Sequence, residues 1–338
     1  MRFGAVVLEE ALGGIAVHSV RLPEGAVKKG TLIGPAEVAK LRAAGLDRVV
    51  VVHFDAGDVA EDEAAGRLAR AVAGEGVRVE KPATGRSNLF AETAGVLVVD
   101  GAAVDRINTV DEALTFATLA AWKAVEEGEM IGTVKIIPFA VPEALLARAL
   151  EAAGPATIRV APFHPLRVGV VSTLLPGLKP TVVRKTIGVL QGRLGPAGAK
   201  IVSDTEVPHE AGALTGALEA LARSEVDLMV VFGASAITDR RDVIPAAIEA
   251  AGGRVEHFGM PVDPGNLLLV GSLGGRPVLG APGCARSPKE NGFDWVLQRL
   301  LAGLPVTRAD IMRLGVGGLL MEIVQRGHPR ATPQAEDD

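Results

Sequence analysis

The sequence predicts an α/β protein with a largely parallel sheet, preceded by an α+β amino-terminal region. Strand-like apolar runs alternate with amphipathic segments along most of the chain, which is typical of strand–helix–strand units. At 338 residues, of which 48% are hydrophobic and 22% charged, the chain is long enough for two domains with sizeable cores. Gly154, Pro155, Pro162 and Pro165 separate two different patterns, so we place a domain boundary near residue 165.

In residues 1–165, predicted strands and helices follow one another without a regular repeat. The strand-like segments are RFGAVVL, RVVVVHF, AGVLVVD and GTVKIIPFAV. Helical patterns occupy GPAEVAKLRAAG, EDEAAGRLARAVAGEG and VDEALTFATLAAWKAVEEG. In the last of these, residues 110–128, the first acidic residues stand where they would complement the positive end of a helix dipole. This mixture predicts an α+β region.

Residues 166–304 show a cleaner alternation of strands and helices. RVGVVST, AKIVSDTEV, DLMVVFG and RPVLGAPG have the character of strands, and a helical segment follows each of them. Such units predict a largely parallel sheet covered by helices on both faces, with ligands bound beyond the carboxyl ends of the strands. Residues 305–338 form a carboxyl-terminal extension that ends in ATPQAEDD, for which we expect an acidic, disordered tail.

Composition argues against several classes of function. A net charge of −5 and an aromatic content of only 3% disfavour a nucleic-acid-binding protein. No apolar run approaches the roughly 18 uncharged residues of a membrane-spanning helix, so we expect no membrane partner. The single cysteine, Cys284, forms no internal disulfide, and the first residues do not resemble a secretory leader. Both observations favour a cytoplasmic location.

Three segments that follow predicted strands carry seven basic residues of the second half. These segments are TLLPGLKPTVVRKT, GASAITDRRD and APGCARSPKENG. Their cationic side chains, together with free N–H groups at helix starts, predict a site for an anion such as a phosphate. The cationic residues are Lys179, Arg184, Lys185, Arg240, Arg241, Arg286 and Lys289.

Other polar residues at these positions allow two interpretations each. Asp242 is either a Mg²⁺ ligand beside the phosphate site or the cap of the following helix, which has Pro245 in its first turn. His209 and Glu210 are either an acid–base pair or an ordinary helix start. Cys284 is either a reactive thiol or a small buried residue, and the lack of a nearby histidine favours the second.

VVFGASAITDRRDVIPAAIEAAGG, followed by VLGAPGCARSPKENGFDWVL, resembles the molybdopterin-binding domain of molybdenum-cofactor biosynthesis proteins. The resemblance implies a three-layer domain over residues 166–304. LPEGAVKKGTLIGPAEVAKLRAAGLDRVVVV and GEMIGTVKIIPFAV are similar to the amino-terminal regions of the larger, molybdenum-inserting relatives. Where the family has a Gly-Gly-x-Gly loop, this chain has Gly233, Ala234, Ser235 and Ala236. The positions that match the family are Arg241, Asp242, Val243, Pro245, Pro282, Gly283, Ser287, Lys289 and Glu290.

The resemblance implies molybdopterin or the molybdenum cofactor as the ligand, bound through its phosphate late in cofactor synthesis. The implied binding residues are Lys179, Arg184, Gly233, Ser235, Arg241, Pro282, Gly283, Ser287 and Lys289. A first alternative is an enzyme, either a Mg²⁺-dependent molybdopterin nucleotidyltransferase using ATP or CTP or a molybdate-inserting protein, with Asp242 on Mg²⁺ and Glu210 assisting. A second is a non-catalytic assembly scaffold. The implied partners are a cytidylyltransferase or a molybdoenzyme, and related domains form homo-oligomers.

Overall fold

The computed structural model describes residues 1–177 and 180–320 and divides into two compact units. One unit comprises Met1–Thr93 and Leu97–Val160, and the other comprises Ala94–Val96 and the chain from Ala161 onward. The domain limits at residues 165 and 304 stay predictions. Lys179 and the acidic tail lie outside the described residues.

Residues 1–162 contain short strands and four helices. The helices are α1 (Pro35–Ala43), α2 (Glu61–Val72), α3 (Gly101–Asn108) and α4 (Glu143–Ala153). The strands are β1 (Arg2–Val7), β2 (Ile15–Ala16), β3 (Val20–Arg21), β4 (Ala26–Val27), β5 (Arg48–His53), β6 (Asp58–Ala60), β7 (Val77–Val79), β8 (Arg86–Ala91), β9 (Gly95–Val99), β10 (Leu114–Thr118), β11 (Ala124–Val125), β12 (Met130–Ile136), β13 (Ala140–Pro142) and β14 (Ile158–Pro162).

These strands form several small sheets rather than one large one. The strand orders are β1-β5-β2, β10-β12-β8-β7, β11-β9-β14, β13-β6 and β3-β4. Helix α2 buries Ala64, Leu68 and Val72 in the main apolar core of this region, together with Leu89 of β8 and Val134 of β12. The region is therefore rich in β-structure, with helices packed against its sheets.

The helix predicted over residues 110–128 is wrong. The structure has the strand β10 there, with Leu114 and Phe116 buried and Thr115 exposed between them. This alternation has the period of two that a half-buried strand requires, and it overrides the acidic helix-start signal. The Asn108 side chain fixes the strand locally, since its Nδ2 donates to the carbonyl of Phe116 and its Oδ1 accepts the N–H of Phe116.

Residues 163–320 contain the largest sheet of the described chain. Its strands are β15 (Arg167–Leu174), β16 (Lys200–Pro208), β17 (Leu228–Phe232), β18 (Arg254–Phe258), β19 (Leu269–Leu273) and β20 (Arg276–Ala281). The helices are α5 (Pro180–Leu194), α6 (Ala211–Arg223), α7 (Val243–Ala250), α8 (Gly292–Leu301) and α9 (Arg308–Met312), with 3₁₀ helices at Gly195–Ala197 and Gly283–Arg286.

The predicted largely parallel sheet is confirmed. Its order is β16-β15-β17-β20-β19-β18, and β15 to β17 and β20 pair in parallel. Strand β19 runs antiparallel to both β20 and β18, an extension of the sheet that the sequence patterns did not predict. The short turn at Gly274 and Gly275, both at positive φ, joins β19 to β20 as a hairpin.

Helices cover both faces of this sheet. Along β17, Leu228, Val230 and Phe232 pack in one core with residues of α5 and α8. Met229 and Val231 pack in a second core with residues of α6 and α7. A strand buried on both faces explains why DLMVVFG is uninterrupted in its apolar character. No helix within the described residues combines the length and apolar character needed to cross a bilayer.

Candidate functional site

The parallel strands end at one edge of the six-stranded sheet, and the candidate site lies there. In register, Leu174 of β15 lies opposite Pro208 of β16, and Phe232 of β17 lies opposite Ala281 of β20. The loops that follow these strands carry the polar segments noted in the sequence. This is the edge at which open α/β sheets bind ligands.

Two consecutive hydroxyl groups close β15 and point to opposite faces of the sheet, because side chains alternate along a strand. Ser172 lies in register with Phe232 and shares a face with Val170, toward the core that contains α5 and α8. Its Oγ is buried and has no hydrogen-bond partner among the described residues. Thr173 shares a face with Val171, toward the core that contains α6 and α7. Both hydroxyls are removed from water, at 3% and 1% exposure.

On the α6 and α7 face, three side chains form a continuous hydrogen-bonded chain. Thr173 Oγ1 lies 2.8 Å from His209 Nδ1, and His209 Nε2 lies 3.0 Å from Ser235 Oγ. The backbone N–H of Ala234 donates to Thr173 Oγ1 at 2.9 Å. The end of β15 and the loops after β16 and β17 thus converge through side chains that are 36 and 26 positions apart in sequence.

On the opposite face, Arg286 ends the 3₁₀ helix after β20 and contacts helix α5 and the loop after β17. Its Nη1 donates to Thr186 Oγ1 at 3.0 Å, and its Nη2 donates to the carbonyl of Gly233 at 2.8 Å. The guanidinium also lies 5.6 Å from the centroid of the Phe232 ring. Burial lowers the pKa of Arg286 from its ordinary value, and no carboxylate of the described residues forms an ion pair with it. The charge is therefore half-buried and uncompensated by this part of the chain.

One peptide group joins the two faces. The carbonyl of Gly233 accepts from Arg286, and the N–H of the same peptide, which belongs to Ala234, donates to Thr173. A Cβ on Gly233 would come within 2.7 Å of the Ser235 carbonyl oxygen and 2.9 Å of Ile244 Cδ1. Only glycine therefore fits at position 233 without a shift of the backbone.

The loop after β20 is held by Arg193 of α5. The guanidinium donates to the carbonyl oxygens of Ala285 and Ser287, both at 2.7 Å, and forms an ion pair with Asp294 of α8. Asp294 in turn accepts the backbone N–H of Asn291 at 2.8 Å, which completes a capping box at the start of α8. Burial raises the pKa of the Cys284 thiol in this loop, which disfavours a reactive thiolate.

The predicted binding residues occupy this edge with different exposure. Arg184 on α5, Gly283 and Lys289 are exposed, Ser287 is half-buried, and Pro282 is buried. The backbone N–H of Lys289 donates to Ser287 Oγ at 3.3 Å, so the Ser287 hydroxyl takes part in the turn before α8. Their role in binding stays a prediction.

Arg241 differs from the other predicted cations because it has a local partner. Its Nε donates to Asp239 Oδ1 at 2.7 Å, and its side chain is 90% exposed. Asp239 raises the pKa of Arg241, and Arg241 holds the pKa of the Asp239 carboxyl below its usual value. A salt bridge this exposed contributes little to stability.

Asp242 is the N-cap of α7. Its Oδ1 accepts the N–H of Val243 at 2.7 Å, and its Oδ2 accepts the N–H of Thr238 at 3.1 Å. With both oxygens directed at backbone donors, the donor set does not fit a Mg²⁺ ion, which prefers several oxygen ligands in an octahedron. Within the described residues, no group of three or more His, Cys, Asp or Glu side chains is arranged to hold a metal ion. Glu210 is exposed and is the N-cap residue of α6, without a side-chain cap hydrogen bond.

The sequence interpretation missed Thr173 and Arg193 as members of the site. Thr173 stands in an apolar strand and Arg193 near the end of a helix. Nothing in the sequence around either residue distinguishes a functional side chain from a purely structural one. His209 was noted only as a neighbour of Glu210, and Arg286 only as one cation among several. The signal available for Thr173 was two consecutive polar residues, Ser172 and Thr173, at the end of a buried strand.

Comparisons with known proteins give weak likenesses. Residues 5–53 match a domain of unknown function, DUF8806, and no curated protein matches the sequence. The molybdopterin biosynthesis MoeA protein of Pyrococcus horikosii is 16% identical over 89% of this chain and 75% of its own, with a TM-score of 0.30. The molybdopterin biosynthesis enzyme MoaB of Thermus thermophilus is 18% identical over 41% of this chain and 98% of its own, with a TM-score of 0.29. A molybdenum-cofactor biosynthesis protein of Pyrococcus furiosus is 13% identical over 90% of this chain and 66% of its own, with a TM-score of 0.26.

These solved structures resemble the chain only distantly, and their TM-scores are too low to assign an activity. The functional interpretation therefore depends on the residues at the sheet edge.

Proposed function

We propose that this protein binds molybdopterin, or the molybdenum cofactor, through its phosphate at the carboxyl edge of the six-stranded sheet. The observation that carries the proposal is Arg286, a half-buried guanidinium without a carboxylate partner among the described residues. A buried charge is costly unless it is paired, so a bound anion would stabilise this arrangement. The motif resemblance around Arg241 and Pro282 supports the pterin as the rest of the ligand.

Exposed cations of the same edge would form the outer part of the site. We assign this role to Arg184, Arg241, Lys289 and, outside the described residues, Lys179. The turn at Pro282 and Gly283 would shape the pocket, with Gly233 allowing close approach of the backbone and Ser235 and Ser287 supplying hydroxyl groups. A phosphate held by several N–H and O–H donors fits such a set, because charge-assisted hydrogen bonds are the strong ones.

A binding protein accounts for this site better than a nucleotidyltransferase or molybdate-inserting enzyme. Nucleotidyl transfer uses Mg²⁺ to bridge phosphate oxygens, and the oxygens of Asp242 are directed at backbone N–H groups. Glu210 is the other proposed catalytic residue. Within the described residues, its side chain forms no hydrogen bond with Thr173, His209 or Ser235. We therefore propose a carrier, working as a homo-oligomer, that presents the pterin to a cytidylyltransferase or a molybdoenzyme.

The test is anaerobic binding of molybdopterin to the purified protein, followed by pterin fluorescence after removal of free ligand. We expect Arg286→Ala to weaken binding roughly 10- to 100-fold, the loss expected for charge-assisted hydrogen bonds. Arg254→Ala is the matched control, since Arg254 begins β18 at the other edge of the sheet and its side chain is 76% exposed. Equal affinity in wild type and Arg286→Ala would refute the site. Formation of pyrophosphate with Mg²⁺ and ATP or CTP would instead support the transferase.

A further inference from the structure

The hydrogen bonds that join Thr173, His209 and Ser235 have a direction of donation, which follows from the partners of Thr173. A backbone N–H only donates, so the Ala234 N–H occupies one lone pair of Thr173 Oγ1. Thr173 is 1% exposed, so its hydroxyl is shielded from bulk water. Among the described residues, the remaining hydrogen-bond partner of that oxygen is His209 Nδ1 at 2.8 Å. The hydroxyl proton is therefore best satisfied when Thr173 donates to Nδ1.

The tautomer of His209 follows from this donation. A neutral imidazole has one N–H and one acceptor nitrogen, and an Nδ1 that accepts leaves the proton on Nε2. His209 Nε2 then donates to Ser235 Oγ, 3.0 Å away. In this arrangement the histidine does not withdraw a proton from the serine. Its Nε2–H donates to a lone pair of the Ser235 oxygen, so the Ser235 hydroxyl proton points away from the histidine.

Ser235 is exposed, whereas its supporting residues are progressively more buried. The Ser235 hydroxyl is therefore accessible to a ligand at this edge of the sheet. The peptide between Gly233 and Ala234 connects this arrangement to Arg286 on the other face. Hydrogen bonds in such a chain polarise one another, so an anion at Arg286 and a donor at Ser235 reinforce each other.

We infer that Thr173 and His209 are positioning residues that hold Ser235 as a hydrogen-bond donor to the ligand, and that Ser235 is not an activated nucleophile. The ligand atom at Ser235 is then an acceptor without a proton of its own, such as an anionic phosphate oxygen. This inference rests on the proposed anion site and adds the chemistry of one contact in it.

The first part of the test needs no ligand. Long-range ¹H–¹⁵N correlation spectra of the full chain at about pH 8, where an ordinary imidazole is neutral, report the tautomer of each histidine. The His209 signal is identified by its absence in His209→Gln. We expect the proton on Nε2 in wild type and in Thr173→Ser, and a mixture of tautomers in Thr173→Val. A proton on Nδ1 in wild type would overturn the inferred hydrogen-bond direction from Thr173 through His209 to Ser235. It would leave the proposed anion site unaffected.

The second part measures the affinity for inorganic phosphate by isothermal titration calorimetry. We expect Ser235→Ala to weaken binding about 10-fold, with Thr173→Val weaker than wild type and Thr173→Ser restored. If Thr173 had only a structural role, Thr173→Val would not change both the His209 tautomer and the phosphate affinity. Phosphate binding that is unchanged in Ser235→Ala refutes this inference alone. A wild-type protein that binds no phosphate refutes the proposed anion site as well.

A third measurement addresses the nucleophile directly. If His209 accepted the Ser235 proton, the pair would have the geometry of an activated serine, with the third residue orienting the base. We expect no turnover of p-nitrophenyl phosphate or p-nitrophenyl acetate. Turnover that disappears in Ser235→Ala but persists in Arg254→Ala would overturn the donor assignment.

Discussion

Arg167 and Arg254 at the amino edge of the six-stranded sheet have carboxylate partners, whereas Arg286 at the carboxyl edge has none among the described residues. At the amino edge, Arg167 of β15 pairs with Asp227 and Glu225, and Arg254 of β18 pairs with Glu256. Arg276 at the start of β20 donates to the carbonyl oxygens of Ala222 and Ser224 at the end of α6. At the carboxyl edge, Arg286 has only a hydroxyl, a carbonyl and an aromatic ring around it.

The proposed anion site does not coincide with the cavity at the amino edge. A cavity of about 320 Å³ opens at the amino edge, lined by residues that include Arg254, Glu256, Arg276 and Thr307. There Arg254 is paired with Glu256, and Arg276 donates to two carbonyl oxygens at the end of α6. The carboxyl edge retains an unmatched charge, and that is where an anion changes the electrostatic balance most.

The largest effect on stability is expected at Arg193, a carboxyl-edge arginine whose carboxylate partner, Asp294, is largely buried. Its side chain is 9% exposed and that of Asp294 is 11% exposed. Arg193→Met would leave the Asp294 charge buried and the carbonyl oxygens of Ala285 and Ser287 without their donor. Breaking a buried pair in this way costs about 3–5 kcal/mol. Urea denaturation followed by circular dichroism measures the change, and Arg254→Met is the control, for which we expect no measurable loss. Equal stability of the two variants would contradict the expectation that the buried ion pair of Arg193 stabilises the protein more than the exposed pair of Arg254.

The general arrangement of this half follows from the sequence, because it depends on local signals. Uninterrupted apolar runs such as DLMVVFG predict buried parallel strands, and chain direction then brings their following loops to one edge. Antiparallel β18 and β19 were missed, since RVEHF and LVGSL are short and carry polar residues. The acidic start of VDEALTF resembled a helix start, whereas burial of Leu114 and Phe116 favours a strand.

Partnerships between side chains were harder to predict than the fold. The pairing of Arg241 with Asp239 is two residues apart and is the kind of contact that a sequence suggests. His209 contacts Thr173 across 36 positions, and Arg286 contacts Gly233 across 53. Such contacts depend on strand register, which shifts between Val168 and Gly169 in the pairing of β15 with β16. The sequence identifies which cations lie near the edge, but not that Arg286 is half-buried there without a carboxylate partner among the described residues.

A smaller effect separates the two interpretations of Asp242. If this residue serves as a helix cap, Asp242→Ala destabilises the protein by about 0.5–2 kcal/mol, while Asp242→Asn changes it little because asparagine caps as well. If it were a metal ligand, asparagine would impair function as severely as alanine. Thermal unfolding and molybdopterin binding of both variants distinguish the two roles. Unchanged stability in Asp242→Ala would contradict the cap assignment, and loss of binding in Asp242→Asn would support a metal ligand.

The smallest effect is expected at the amino edge, where Arg167 holds the pKa of Asp227 below its usual value, mainly through their side-chain hydrogen bonds. A carboxyl whose pKa is lower in the folded state contributes stability above its unfolded pKa of about 3.9, and this contribution is lost as pH falls through the folded value. Because Arg167 is 46% exposed and Asp227 36% exposed, solvent screening limits the contribution to about 0.2–1 kcal/mol. Asp227→Asn should therefore lower stability slightly at pH 7 and by less near pH 2, as measured by urea denaturation at both values. A larger loss at pH 2 than at pH 7 would reverse the sign of this linkage and contradict the paired state of the amino edge.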